Sequence, residues 1–201
     1  MSLKRRLSQV LGAIKKGYAV DTLQGEFPLV QTEVAYGAAS AVQVLASTVL
    51  TAAEQEVDTG LALPTREFRA LSVTGNQASV AGIVSIAGRD WAGRAFVENI
   101  TLSGVATVLG DRPFKDIDKV TLPVLVGAGD AVSVGMCDKI GLKRPIEATE
   151  DYLGLLRKAQ AATEFSAEAG YTVNATYGTV LPGTIIVAND SFQLAYETEI
   201  F

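Results

Sequence analysis

A chain of 201 residues with a formal charge of −5, one cysteine and no histidine is long enough for a core and poor in reactive side chains. At this length roughly 70% of the unfolded surface is buried on folding, so neither a disulfide nor a metal is needed as a staple. The lone Cys137 excludes an internal disulfide, and the missing imidazole removes the commonest general base, metal ligand and pH switch.

The charge is unevenly placed. Lys4, Arg5, Arg6, Lys15 and Lys16 crowd the first sixteen residues with no acid among them, whereas the remainder carries 12 basic and 22 acidic residues. Leu3, Leu7, Val10, Leu11 and Ile14 recur at helical spacing, which predicts a short amphipathic helix. Ser8 and Gln9 interrupt its apolar stretch and Lys15-Lys16 follow at once, so it does not read as a signal peptide. A membrane-surface role would want aromatics on the apolar face, and nucleic acid would want aromatics to stack on. The segment therefore reads as a terminus that orders on docking to a partner or to its own body, with Lys4, Arg5, Arg6, Lys15 and Lys16 as partner-binding candidates. No run of about 18 apolar residues predicts a transmembrane span. Gly25, Pro28 and Gly37 punctuate an extended stretch with one strand-like alternation at 30–34. The organisation expected is an N-terminal arm over 1–39 and a β-sandwich domain over 40–201.

The first strong strand pattern is 42–49, where β-branched content outweighs a helical drawing of 38–50. After Pro64, the run 65–73 places Phe68, Leu71 and Val73 on its way into the core. Short alternating runs then follow at 71–74, 79–86, 95–102, 105–109, 119–122 and 130–134, separated by glycine-bearing turns about every ten residues. Around Gly88–Gly93, residues 79–87 and 94–102 predict a hairpin. Trp91 at its tip is either an exposed interface anchor or a ring folded back to cap the sheet end. Over 147–170, Thr149 to Asp151 resembles a helix start, but Gly154 opposes a helix by about 1 kcal/mol, so a strand over 153–158 is favoured. Residues 171–180 and 192–197 return to alternation, with 181–184 as a turn. The fold class expected is all-β, an antiparallel β-sandwich of Ig-like or jelly-roll-like kind.

No motif in the chain carries chemistry. Neither Gly127–Asp130 nor Gly82–Gly88 sits between a strand and a helix or has a following lysine-serine pair, so both read as turn glycines rather than phosphate loops. Asp111, Asp116, Asp118, Asp130 and Asp138 read as solvated turn acids, because no loop shows the dense alternating acids of a calcium site. A serine nucleophile would need lysine as its base, and no Ser-x-x-Lys occurs. Cys137, between Met136 and Asp138, reads as an inert thiol in a glycine-rich turn. No catalytic residue, cofactor or metal ligand is predicted, and the chain is not expected to be an enzyme.

Residues 72–104, the pair 113–123 and 129–143, and 172–182 together resemble a family of tailed-bacteriophage virion proteins, the β-sandwich structural proteins encoded among head genes. Several of these are capsid cement or decoration proteins. The likeness covers about half the chain, and its motifs are turns and strands. It implies a capsid-surface protein made in the host cytoplasm, a homotrimer that binds the major capsid protein and clamps neighbouring capsomers. It implies no nucleic-acid or membrane partner. Such a clamp gains strength through avidity, and an arm lying across a neighbour becomes ordered only on assembly. Two other readings remain open: a tail, neck or fibre component, and a carbohydrate- or receptor-binding module with Trp91, Tyr36 or Tyr177 as stacking platforms.

Overall fold

The computed structural model describes residues 29–61, 63–64, 67–144, 152–159, 162 and 164–196. The amphipathic helix expected in the arm, with Lys4, Arg5, Arg6, Lys15 and Lys16, lies outside the described residues. Among the described residues there are strands and no helix. In chain order the strands are β1 (Leu29–Tyr36), β2 (Ser40–Val49), β3 (Gln55–Val57), β4 (Arg69–Gly75), β5 (Ile83–Arg89), β6 (Ala95–Thr101) and β7 (Val108–Phe114). There follow β8 (Asp116–Leu122), β9 (Ala131–Gly141), β10 (Tyr152–Lys158), β11 (Ser166–Ala167), β12 (Thr172–Asn174), β13 (Thr179–Leu181) and β14 (Asp190–Tyr196).

All pairings are antiparallel and make three sheets. One runs β1-β14-β10-β11, a central one β12-β13-β9-β4-β7 with β2 also on β9, and a third β3-β8-β5-β6. The central sheet supplies two cores. Leu71, Val73, Val132 and Val134 meet Val84, Ile86, Val120 and Leu122 of the third sheet. Ile140 and Val180 meet Tyr36, Leu155, Phe192 and Leu194 of the first.

Serving two cores removes the alternation that marks a half-buried strand. From Ala131 to Cys137 every residue of β9 is buried, as expected for a strand covered on both faces. The expected glycine-rich turn around Cys137 is thus corrected: Cys137 lies inside β9, and its thiol donates to the Ala70 carbonyl at 3.3 Å. Gly135 mimics a turn signal for a different reason. A Cβ there would overlap the backbone of Ser40 and Ala41, so the missing side chain is what lets β2 approach β9.

The hairpin forms as expected, with β5 and β6 paired from Ile83↔Thr101 to Arg89↔Ala95. The strand favoured over 153–158 is present as β10, bulged between Tyr152 and Gly154. The single run expected over 171–180 is two strands, because Asn174 Oδ1 accepts the Tyr177 N–H at 3.3 Å and Gly178 turns left-handed (φ 62°).

Two arginines tie the elements together, one fully buried and one partly so. Arg69 is fully buried on β4. Its guanidinium donates to the carbonyls of Cys137 (2.7 Å) and Gly37 (2.6 Å) and pairs with Glu67 (3.0 Å) and Asp138 (3.1 Å). Arg157 on β10 pairs with buried Asp190 at 2.6 Å and donates to the Ile185 carbonyl at 3.1 Å, fastening the loop between β13 and β14.

Asp130 and Asp138 also correct the expectation of solvated turn acids. Asp130 is buried and accepts from Ser79 Oγ and the Gly127 N–H, both at 2.6 Å, which hold its carboxyl below the usual range. The turn reading of Gly127–Asp130 stands, with Gly129 left-handed (φ 79°).

Candidate functional site

A cleft of about 400 Å³ opens between the β5–β6 tip, the end of β9 and the β12–β13 turn. The tip loop is rigid by its own chemistry. Asp90 accepts the Arg94 N–H at 2.9 Å and the Arg94 Nε at 2.7 Å, and Gly93, left-handed at φ 78°, donates back to the Asp90 carbonyl. That Asx-type closure leaves Trp91 at the apex.

Trp91 combines both readings drawn from the sequence. Its ring folds back on Phe68 with centroids 5.8 Å apart, yet it stays 39% exposed. Lys143 Nζ sits 4.2 Å and Lys115 Nζ 5.0 Å from the ring centroid, both in cation–π range. Tyr177, at the β12–β13 turn, lines the same cleft. Tyr36 does not: it is 1% exposed and meets Phe192 edge-on in the core, so its expected role as a stacking platform is corrected.

Arg112 enters the cleft because β7 is bulged. Ala70 pairs with Pro113 and Ser72 with Leu109, so Leu71 alone opposes Gly110–Arg112. The bulge releases backbone donors, and Glu98 of β6 collects them: its Oε1 accepts from Asp111 N at 2.6 Å and Arg112 N at 2.9 Å. Lys139 Nζ adds bonds to the Gly110 carbonyl (2.8 Å) and Asp111 Oδ1 (2.6 Å). A Cβ at Gly110 would stand 2.7 Å from Glu98 Oε2, so a side chain there would have to push that carboxylate aside. Held this way, the Arg112 guanidinium lies 4.7 Å from the Phe96 ring, which itself packs on Phe114 at 4.5 Å.

Glu98 bears a cost for this service. Burial pushes its carboxyl above the ordinary value, and the two backbone N–H groups only partly offset the rise. Its Oε2 is buried without a hydrogen-bond partner among the described residues. The unfolded chain releases this proton at the ordinary pKa while the folded chain retains it to higher pH. In that window the folded state binds more protons, so stability falls as pH rises and is fully retained below it. A thermal-melt series against pH should show this slope in the parent and lose it in Glu98→Gln. Glu98→Ala strands two backbone donors and should lower stability by about 2 to 4 kcal/mol, measured by denaturant unfolding.

The cleft is cationic on an acidic chain. Arg94, Arg112 and Lys143 line it against Asp90 alone, whereas the chain as a whole has 22 acids to 17 bases. Sequence reasoning picked out Trp91 and Tyr177 but missed Arg112, Lys143 and Phe96. The one available signal was the break in alternation at Gly110-Asp-Arg-Pro113. Among the described residues, no three acidic or cysteine side chains converge in a way that would hold a metal ion.

No family model, curated protein or solved structure matches this chain.

Proposed function

We propose that this chain is a bacteriophage virion structural protein: a head cement or decoration protein that adheres to the major capsid protein and clamps neighbouring capsomers. In this reading the antiparallel sheets form a β-sandwich of Ig-like or jelly-roll-like kind, the protein acts as a homotrimer on the capsid surface, and the basic N-terminal segment adds contacts to the shell.

The observation that carries the reading is β2. Its ten residues, Ser40–Val49, contain no charged residue and no proline. One edge pairs with β9, and no strand pairs with the other edge among the described residues. Val42 and Val49 point outward, more than half exposed. Its register shifts twice against β9, which twists the edge but places no charge on it. Proteins that stay monomeric commonly blunt such an edge with lysine or proline, whereas assembling proteins use it to add strands from a partner. The resemblance of residues 72–104, 113–123, 129–143 and 172–182 to phage head proteins supports the same conclusion. So does the loop between β13 and β14, which holds Ile185 (74% exposed) and Val187 (51%) out to solvent on the Arg157–Asp190 fastening.

The test is the copy number of this chain relative to the major capsid protein in purified particles. Hundreds of copies per particle are expected. A handful would move the protein to the tail or neck and overturn the head assignment, and absence from particles would overturn the virion role.

A further inference from the structure

We infer that the Trp91–Arg112 cleft is a docking site for an acidic polypeptide segment in which Asp or Glu residues alternate with an apolar or aromatic one. Two independent observations carry this. The first is the device that presents Arg112. A three-residue bulge opposite Leu71, a buried glutamate holding two of its backbone donors and a glycine that gives that glutamate room all serve to turn one strand residue outward. Bulges of this kind re-aim side chains at binding sites. The guanidinium so presented is spread over Phe96 and lies within ion-pair distance of no carboxylate among the described residues. Its Nη1 donates to the Val97 carbonyl at 3.5 Å, which leaves the Nη2–Nε side of the fork to capture a carboxylate.

The second is the way the aromatic rings are used. A neutral sugar needs an open ring face and acceptors for its hydroxyls. Here Trp91 is already approached by Lys115, Lys143 and Phe68, and Phe96 by Arg112 and Phe114. The one carboxylate in the lining, Asp90, is committed to Arg94. What faces the cleft is therefore positive charge fixed on aromatic supports, with Ala92 and Ala95 as exposed apolar lining. Several spaced cations separated by apolar surface match an extended peptide with alternating acids better than a single anion or a pyranose ring. The inference stands or falls separately from the virion role, since it concerns only this cleft.

Trp91 is the sole tryptophan, so its emission reports directly on occupancy. The probe is the peptide acetyl-Glu-Glu-Phe-Glu-Glu-amide, titrated into the full chain, with tetragalacturonate and acetyl-Lys-Lys-Phe-Lys-Lys-amide as comparison ligands. The acidic peptide is expected to give a saturable change, and the basic peptide none. Arg112→Gln, whose backbone bonds to Glu98 are untouched, should weaken binding roughly tenfold, as loss of a charge-assisted pair does, with an unchanged melting temperature. Raising salt from about 50 to about 500 mM should weaken it to a similar degree. Lys119→Gln, which removes a cation of β8 paired with Glu56, should leave the affinity unaltered. The proposal is overturned by an unsaturable or absent response, by tighter binding of tetragalacturonate than of the acidic peptide, or by an affinity that ignores Arg112→Gln.

Discussion

Arg69→Met is expected to lower stability by about 3 to 5 kcal/mol, because it removes the one cation in ion-pair contact with two carboxylates among the described residues. Glu67 and Asp138 keep 5% and 17% of their side-chain surface exposed, and Arg69 keeps none. Burial alone raises the Asp138 carboxyl, and the Arg69 charge is the chief opposing influence. Without it Asp138 would retain its proton to higher pH, so the variant should lose stability more steeply than the parent as pH rises above the ordinary carboxylate value. Backbone ties are lost as well: Arg69 bonds the Gly37 and Cys137 carbonyls, so the β1–β2 connection is left holding to the start of β4 only through the Gly37 N–H on Glu67 Oε1 at 2.7 Å. Thermal unfolding should show a melting temperature lower by roughly 10 °C. Adding Glu67→Gln and Asp138→Asn should restore a good part of it, since the penalty lies in the unpaired charges. A loss below about 1 kcal/mol would show that the network contributes little beyond packing.

Asp190→Ala should cost about 3 kcal/mol and, more tellingly, loosen one loop. Asp190 Oδ2 receives Arg157 Nη2 at 2.6 Å and the Val187 N–H at 2.8 Å, while Asn189 adopts a left-handed backbone (φ 69°) and donates its N–H to the Tyr36 carbonyl. Arg157 and Glu168 both bond Thr184 at the other end of the loop. Loss of the carboxylate frees the segment that carries Ile185 and Val187, turning a preset apolar contact into one that must be ordered on binding. Hydrogen exchange should accelerate at Val187 and Asn189 and stay unchanged at Ile86 in the distant core. Equal acceleration at both would mean global destabilisation instead.

Local rhythm made the half-buried strands legible. The β5–β6 hairpin, β8 and β14 each show one apolar face, and each lies near the span expected from its alternation. Strands buried on both faces hid. β9 carries serine, two glycines, cysteine and an aspartate, and its identity comes from neighbours on two sides that no local window contains. Burial likewise decided Tyr36, whose sequence neighbourhood resembles that of an exposed tyrosine until β14 covers it. The cleft was half legible. Its aromatic members are rare residues in turn sequences and drew attention, but Arg112 acquires its position from a bulge whose partner, Glu98, sits on the preceding strand. Asp130 is the converse case: one of several turn acids by sequence, it is distinguished only by the serine fifty-one positions away that bonds it.

The pairing of β1 with β14 bears on how the polypeptide is made. Leu29 meets Tyr196 across that ladder, so the sheet has no stable form until nearly all of the described chain has left the ribosome. The hairpin formed by β5 and β6 joins neighbours and can zip during synthesis, well before then. Long-separation contacts are slow to close, so refolding from denaturant should end in a late phase reported by amides of the terminal ladder. Until that phase completes, β1 has no partner and β10 is paired on its β11 edge alone, and the nascent molecule is at its most vulnerable to aggregation.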